Sequence, residues 1–375
     1  MELVKQLLAE IKPKLDSPRL AEAYERLRNA YALRQNDHHP IVQFDWTHWG
    51  RYTSLEMAKD PAKNLEQHLL YLKGSLDLGT DYTPMMDLSE PWGTAIVPDA
   101  FGCETRWMGD EPPWSYPIIT DVSQVFSIRK PRVSDGCIIQ EIKRHIDYAK
   151  SVMGGSIPML VVDMQSPFSV ACQIWEWESL MTACCSSPQA AHHFLRIVTE
   201  FSIEFLQEYL TWLENPLFPG RNFPSIPENI GINIADDTAA IMLSPEQYEE
   251  FALPYNIMVS QAFGGLSIHS CGNYNHQLDN LLKIPNLKAI QCHVGPGEMP
   301  AEPLVGKING KATLWCDWNN LSCGSYASGK ELQQEYTIPY LRRFKTGLIV
   351  QGPGGANPRE LVENYIWLRN QLWTC

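Results

Sequence analysis

The chain has 375 residues, of which 44% are hydrophobic and 19% charged, enough to bury one large domain or two ordinary ones. Its formal net charge of -13 disfavours nucleic acid and anionic membranes as partners, because both require a concentrated basic surface. Neither a membrane-spanning apolar run nor a signal peptide is visible, so we expect a cytoplasmic protein. Its ten cysteines are expected to be free thiols, some buried and some acting as ligands.

The predicted elements begin with helices and then alternate between strand and helix. Apolar and charged residues recur at helical spacing over 2–35, which predicts a helical extension of residues 1–39. From residue 40 onward, the order strand, loop, helix repeats roughly eight times, which predicts a single-domain (β/α)₈ TIM barrel over 40–375. The predicted strands occupy 40–46, 82–87, 158–164, 229–235, 266–269, 289–293, 312–317 and 347–351.

A long segment over 88–133 lacks regular periodicity and is rich in Gly, Pro and Trp. Loops of this length inside a compact domain are usually functional. We therefore expect a partly ordered inserted loop that covers or lines a pocket. Aromatic residues in this and neighbouring loops could form the wall of an apolar substrate site, although ordinary packing explains each of them equally well: Trp46, Trp49, Trp92, Phe101 and Trp114.

Titratable side chains follow the carboxyl ends of most predicted strands. Chemistry gathers at these ends in barrels of this kind. Buried charged and polar groups cost several kcal/mol unless they are paired, so a whole rim of them indicates an active site. The residues of this rim are Asp45, Asp87, Asp236, Asp237, His269, Cys271, Cys292, His293, Cys316 and Asp317.

A metal site is predicted around His269 and Cys271, which stand two residues apart at a strand end. Imidazole and thiolate are ligands that zinc prefers. With Cys316 they would form a set of three that leaves the fourth position open for a substrate thiol or hydroxyl. Cys292 or His293 could replace Cys316. The alternative is a buried Cys and a His satisfied by backbone hydrogen bonds.

The remaining rim residues suggest roles in proton transfer and substrate binding. Asp237 and Asp45 are predicted to orient the substrate or move a proton. Arg51 could clamp a carboxylate, although a surface Arg is the simpler interpretation. The complete set of predicted substrate contacts is Arg51, Trp49, Asp87 and Asp236.

Several segments resemble the uroporphyrinogen decarboxylase superfamily, which includes the decarboxylase and the zinc-dependent methyltransferases that exchange methyl groups with corrinoid proteins. The sequence from His269 to Gly272 resembles the His-x-Cys-Gly zinc motif of the methyltransferase branch. The other matching segments are Trp-Gly-Arg-Tyr at 49–52, Pro-Asp-Ala-Phe-Gly-Cys-Glu at 98–104, Ser-Pro-Phe-Ser-Val-Ala at 166–171, Asp-Asp-Thr at 236–238, Ser-Pro-Glu at 244–246 and Pro-Tyr at 254–255.

The chain departs from both branches of the superfamily at one position each. Thr47 stands where the decarboxylase has a second Arg, so part of the clamp for a porphyrinogen's carboxylates is missing. Pro353 stands where the methyltransferases take their last Cys ligand. Another group must therefore complete the zinc site, or the metal has been lost.

The resemblance implies a methyltransferase that uses Zn²⁺ and a corrinoid supplied by a partner protein. Its substrate would be a small thiol, alcohol or methoxy compound. The alternatives are a metal-independent decarboxylase of a small cyclic or aromatic acid, with Arg51 and Asp87 or Asp45 in its site, or a non-catalytic ligand-binding barrel. The resemblance also suggests a homodimer.

Overall fold

The structure is a computed structural model that describes residues 2–48, 50–295, 298–317 and 329–373. Its strands are β1 (Ile41–Val42), β2 (Glu104–Arg106), β3 (Trp114–Tyr116), β4 (Met159–Leu160), β5 (Pro216–Leu217), β6 (Ile232–Ala235), β7 (Leu266–His269), β8 (Leu287–His293), β9 (Thr313–Asp317) and β10 (Leu348–Gln351).

Helices precede, connect and follow these strands. They are α1 (Glu2–Leu15), α2 (Pro18–Tyr31), α3 (Ser54–Lys59), α4 (Pro61–Asp77), α5 (Ile96–Ala100), α6 (Cys137–Met153), α7 (Pro167–Ile174), α8 (Trp177–Ser186), α9 (Pro188–Trp212), α10 (Asp237–Met242), α11 (Pro245–Phe251), α12 (Leu253–Phe263), α13 (Leu278–Leu281), α14 (Ala301–Ile308), α15 (Gly329–Leu332), α16 (Ile338–Leu341) and α17 (Pro358–Leu372).

A parallel sheet of six strands forms most of the barrel wall, in the order β1-β10-β9-β8-β7-β6. Two less regular segments fill the gap between β1 and β6. The Asp81 amide donates to the Ile41 carbonyl, and the Leu160 amide donates to the Met86 carbonyl at 2.8 Å. The Ala235 amide then donates to Met164, also at 2.8 Å. Segments 81–87 and 159–165 therefore occupy the second and third strand positions of the barrel. The predicted (β/α)₈ barrel is confirmed.

The N-terminal helices pack on the barrel through an apolar face and a few polar contacts. Ser17 caps the start of α2, and Pro18 occupies its first turn, where a missing N–H costs nothing. At the end of α2, the Tyr31 hydroxyl donates to the Pro224 carbonyl at 2.6 Å, and the Thr313 hydroxyl donates to Ala30 at 2.8 Å. These contacts fix α2 against the end of the barrel where the strands begin.

The predicted loop over 88–133 is a folded layer with short helices and the hairpin of β2 and β3. Ile119 is completely buried, and the Glu176 amide donates to its carbonyl at 2.7 Å. The Ile118 amide donates to Ile174 at the end of α7. The segment is therefore held to the helices beside the barrel by backbone hydrogen bonds. Across the described part of the chain, no helix combines the length and apolarity needed to span a membrane.

Candidate metal centre and substrate cavity

A cavity of about 220 Å³ opens at the carboxyl ends of the barrel strands. Three strands contribute the side chain of their last residue to its wall, His269, Asp317 and Gln351, and β8 contributes Gln291, two residues before its end. The other lining residues are Phe44, Trp46, His68, Tyr71, Met85, Asp87, Leu160, Arg221, Asn222 and Trp315. The cavity thus combines an aromatic wall with carboxylates, an imidazole and a guanidinium.

Three potential metal ligands meet where His269 borders this cavity. One ligand atom each from Asp237, His269 and Cys271 lies within 4.8 Å of the other two. His269 Nε2 is 3.6 Å from Cys271 Sγ and 3.7 Å from Asp237 Oδ1. Tetrahedral zinc, with bonds of about 2.0–2.3 Å, holds such atom pairs about 3.4–3.6 Å apart. The three side chains therefore fit a zinc ion with little rearrangement.

The local chain path explains why these residues meet. Strands β6 and β7 are parallel neighbours with Ala235 opposite His269, so the residues that follow each strand emerge side by side. The Cys271 amide donates to Asp237 Oδ1 at 2.8 Å, which ties the turn after β7 to the start of α10. Gly272 continues the turn with a φ of 72°, a conformation that glycine adopts without strain.

A second layer of polar side chains orients His269. Its Nδ1 is hydrogen-bonded to Gln291 Oε1, and Gln291 Nε2 donates to Asp317 Oδ2 at 3.3 Å. Since a carbonyl oxygen only accepts, Nδ1 is the donor in this bond, and Nε2 is left facing Cys271 and Asp237. Metal-binding histidines are typically held in this way by a partner on the other ring nitrogen.

The electrostatics of the cluster favour a thiolate at Cys271. Hydrogen bonds from His269 and His293 lower the pKa of the Cys271 thiol. Burial disfavours an imidazolium at His269, but the contact with Cys271 and the charge of Asp237 outweigh burial and raise the pKa of His269 to about 9. The thiolate is the form of cysteine that binds metals, so the cluster holds Cys271 in its ligand form.

Cys316 and Cys292 do not join this cluster, contrary to the predicted set with Cys316 as third ligand. They are opposite each other on β9 and β8, and both are completely buried. Side chains alternate along a strand, and Trp315 and Asp317 face the cavity, so Cys316 faces the helices outside the barrel. Burial raises the pKa of the thiols of Cys316 and Cys292. Asp237 takes the third position in the cluster instead.

The two other positions considered for the metal site, His293 and Pro353, make different contacts. His293 hydrogen-bonds the Cys271 thiol and lies 3.7 Å from Asp317, beside the cluster rather than in it. Burial opposes a charge on His293, but its contacts with Cys271 and Asp317 raise its pKa. The carbonyl of Pro353 accepts a hydrogen bond from Gln43 at 2.9 Å.

Two predicted site residues lie away from the cavity. Asp45 faces a separate groove between α4 and α17, and its carboxylate accepts from the Thr47 amide and hydroxyl at the turn Trp46–His48. Its neighbours Phe44 and Trp46 line the cavity, whereas Asp45 lies on the separate groove. Arg51 is half exposed and pairs with Glu66 at 3.2 Å. The structure gives these two residues local structural contacts instead of substrate contacts.

The three remaining predicted substrate contacts also differ in position. Asp236 is completely buried behind the site and accepts from Tyr248 and Asn256. Burial raises the pKa of Asp236 to about 6, although these hydrogen bonds oppose the shift. Asp87 does line the cavity. Trp49 lies outside the described residues.

Sequence reasoning missed a buried charge cluster on the opposite side of the cavity. Arg221 lies 3.2 Å from Asp87, and Asn222 donates to Asp163 Oδ1 at 2.8 Å. Burial raises the pKa of Asp163, while the charge of Arg221 opposes that shift. Asp163 stands within the predicted strand 158–164, one residue before its end, so the strand-end argument could have found it. Arg221 follows the two-residue strand β5 and carries no comparable signal.

Of the aromatic residues predicted to wall a substrate site, Trp46 is the one found on the cavity among those described. Trp92 is buried against His145, and Phe101 packs against Phe194 and Phe201. Trp114 is exposed on the hairpin. The other cavity aromatics, Phe44, Tyr71 and Trp315, come from the barrel and α4.

The comparisons with known proteins agree with this architecture. The family model of uroporphyrinogen decarboxylase (URO-D) matches residues 88–211. The solved structure of a methyltransferase from Methanosarcina mazei is similar with a TM-score of 0.65 and 16% sequence identity, over 94% of this chain and 99% of that one. At this identity the likeness establishes the fold alone. No curated protein matches the sequence significantly. The predicted resemblance to the uroporphyrinogen decarboxylase superfamily is therefore confirmed over residues 88–211.

Proposed function

We propose that the protein is a methyltransferase that moves a methyl group between a small substrate and a corrinoid carried on a partner protein. In this proposal Asp237, His269 and Cys271 hold Zn²⁺, and the substrate occupies the adjacent cavity. The observation that carries the proposal is the convergence of these three ligand atoms within 4.8 Å at the cavity wall. Three protein ligands and an open fourth position are typical of catalytic rather than structural zinc.

Zn²⁺ at such a site lowers the pKa of a thiol or hydroxyl and so supplies a nucleophile near neutral pH. The chain itself provides position and proton transfer. Gln291 keeps His269 Nε2 directed at the cluster, and the Asp237 carboxylate fixes the Cys271 amide. Asp317 and Asp87 are carboxylates on the cavity wall. Either can accept the proton that a substrate heteroatom loses as it takes the methyl group.

The first test is the metal content of the protein purified without chelator. We expect about one zinc per chain in the wild type and in a Cys185→Ala variant, and little in Cys271→Ala. Cys185 is an exposed thiol on α8, outside the cluster, so it controls for loss of any surface cysteine. Equal metal content in the two variants would contradict the assignment of Cys271 as a ligand.

The second test is methyl transfer itself. The zinc-loaded protein would be incubated with methylcobalamin and a panel of thiols, alcohols and phenols, and loss of the methyl–cobalt bond would be followed by absorbance. We expect turnover with at least one acceptor and none with His269→Ala. Zinc binding without transfer to any acceptor, or from any methoxy donor in the reverse direction, would count against the methyltransferase.

Decarboxylation of a small cyclic or aromatic acid is the second candidate function, and one observation favours it. Arg221 lies in the cavity wall beside Asp87, where a guanidinium could bind a carboxylate. It would take the role that the sequence suggested for Arg51. Carbon dioxide release from a cyclic acid by metal-free protein, abolished in Arg221→Leu, would favour this function over methyl transfer.

A further inference from the structure

Four aromatic rings form a continuous wall on one side of the cavity. The Phe44 ring centroid lies 5.9 Å from that of Trp46, and the Trp46 centroid lies 4.9 Å from that of Tyr71. Trp315 continues the wall, with its centroid 6.4 Å from that of Phe44. All four residues line the same cavity. This part of the cavity wall is therefore aromatic, and Trp46 is its most exposed ring.

Apart from the metal cluster, the charged residues of the cavity wall are two carboxylates and one guanidinium. Asp87 and Asp317 both line it, while Arg221 is the one Lys or Arg among the lining residues and is already paired with Asp87. Asp163, the acceptor of the hydrogen bond from Asn222, lies near this pair as well. Burial and the charge of Arg221 lower the pKa of His68 to about 3, so this lining imidazole is neutral near pH 7. His269 belongs to the metal cluster.

These two features select among classes of ligand. An anion would meet two carboxylates and a guanidinium that is already paired. A neutral apolar group would use the rings but would place no positive charge near Asp317, which accepts a hydrogen bond from Gln291 at 3.3 Å. A methylated ammonium group has an apolar surface that fits aromatic faces and a positive charge that suits the carboxylates. Aromatic enclosures of this kind recognise quaternary ammonium ligands in other proteins.

We propose that the aromatic side of the cavity binds a methylated ammonium group of the substrate. This inference rests on the proposed function in one respect: the rest of the same small molecule would place its reacting heteroatom at Asp237, His269 and Cys271. The cavity volume of about 220 Å³ suits a small molecule that carries both a methylated ammonium group and a reacting heteroatom. One water occupies about 30 Å³ of the liquid, so there is room for roughly the volume of seven waters.

The test is direct binding, measured by isothermal titration calorimetry on the full chain. The probes are choline and its neutral isostere 3,3-dimethyl-1-butanol, which share shape and hydroxyl but differ in charge. We expect choline to bind about tenfold or more tightly than the isostere. Tetramethylammonium, which has no heteroatom for a metal, is expected to bind equally to the wild type and to Cys271→Ala. Binding of this ion therefore tests the ammonium site even where zinc or methyl transfer fails.

Variants of Trp46 locate the site. This residue is 52% exposed, so its substitution is expected to leave the fold intact, as circular dichroism would verify. We expect Trp46→Leu to weaken tetramethylammonium binding about fivefold or more and Trp46→Phe to restore most of it. Trp114→Leu, a change at an exposed Trp away from the cavity, is the matched control. Equal affinity for choline and its isostere, or no effect of Trp46→Leu, would overturn the proposal. Tighter binding of propionate than of choline would also overturn it and would assign recognition to Arg221.

Discussion

The side-chain carbonyl of Gln291 is hydrogen-bonded to Nδ1 of His269, so the other ring nitrogen faces Cys271 and Asp237. The two residues are opposite each other on neighbouring strands, His269 at the end of β7 and Gln291 two residues before the end of β8. A strand holds its side chains rigidly, so this pair fixes the direction of Nε2, the nitrogen that would bind the metal.

The first prediction follows from this hydrogen bond. Gln291→Ala is expected to weaken zinc binding about 10–100-fold, the usual loss when a ligand's orienting partner is removed. Gln291→Glu keeps an acceptor oxygen and should retain most of the affinity. Competition with a colorimetric chelator measures the dissociation constant. Gln351→Ala is the control, since Gln351 lines the cavity from β10. An unchanged dissociation constant in Gln291→Ala would remove Gln291 from the site.

The second prediction separates the cluster seen in the structure from the set suggested by the sequence. Asp237→Ala should lose zinc, whereas Cys316→Ala should retain about one zinc per chain, because Cys316 is buried on the outer face of the barrel wall. The zinc content of the two purified variants, measured side by side, distinguishes the two ligand sets. If Cys316→Ala lost its zinc while Asp237→Ala retained it, the ligand set of His269, Cys271 and Cys316 would be supported instead.

The barrel was predictable from the sequence because apolar strand segments and amphipathic helices have distinct periodicities. The predicted strand 229–235 contains β6, and the predicted strand 347–351 contains β10. The rule that functional residues cluster at strand ends also identified Asp237, His269 and Cys271 as candidates. His269 is the last residue of β7, and Asp237 and Cys271 stand two residues beyond the ends of β6 and β7, so the parallel pairing of these strands brings the three together.

The direction in which each strand residue points could not be predicted in the same way. Cys316 lies one residue from Asp317, which lines the cavity from β9, and that single step turns its side chain to the opposite face. Asp45 lies beyond the end of β1, just before the turn Trp46–His48, where no strand alternation applies. Which residues of a strand point into the barrel and which point outward depends on the register of the closed barrel. Arg221 was missed for a different reason: it follows a strand of two residues among prolines and glycine, where no periodic pattern exists.

A third prediction concerns stability and pH at the junction of α2 with the barrel. The buried carboxylate of Asp81 lies 2.7 Å from Arg26 and accepts the Ile41 amide. Burial favours the neutral acid, but His38, Arg26 and this amide outweigh it and lower the pKa of Asp81. Because the folded-state pKa lies below the unfolded value of about 3.9, this stabilisation is present above pH 4 and is lost as pH falls through the folded value.

Asp81→Asn should therefore lower the free energy of unfolding by about 3 kcal/mol at pH 7, since it leaves Arg26 without its buried partner. The difference from wild type should shrink below pH 4. Urea denaturation at pH 7 and pH 3.5 measures both quantities. Asp77→Asn is the comparison, because Asp77 is 40% exposed in its pairs with Lys14 and Lys73, and such pairs contribute about 1 kcal/mol or less. Equal losses in the two variants would contradict the argument.

The last prediction concerns the pair of Arg221 and Asp87 in the cavity wall. Asp87 has only 1% of its side chain exposed, and Arg221 approaches it to 3.2 Å. Arg221→Leu should lower the free energy of unfolding by about 3–5 kcal/mol, because it leaves the buried carboxylate of Asp87 without this partner. The double variant Arg221→Leu/Asp87→Asn should recover part of this loss, since the amide carries no charge. A double-mutant cycle from urea denaturation gives the coupling energy. A coupling near zero would contradict the assignment of Asp87 as the partner of Arg221.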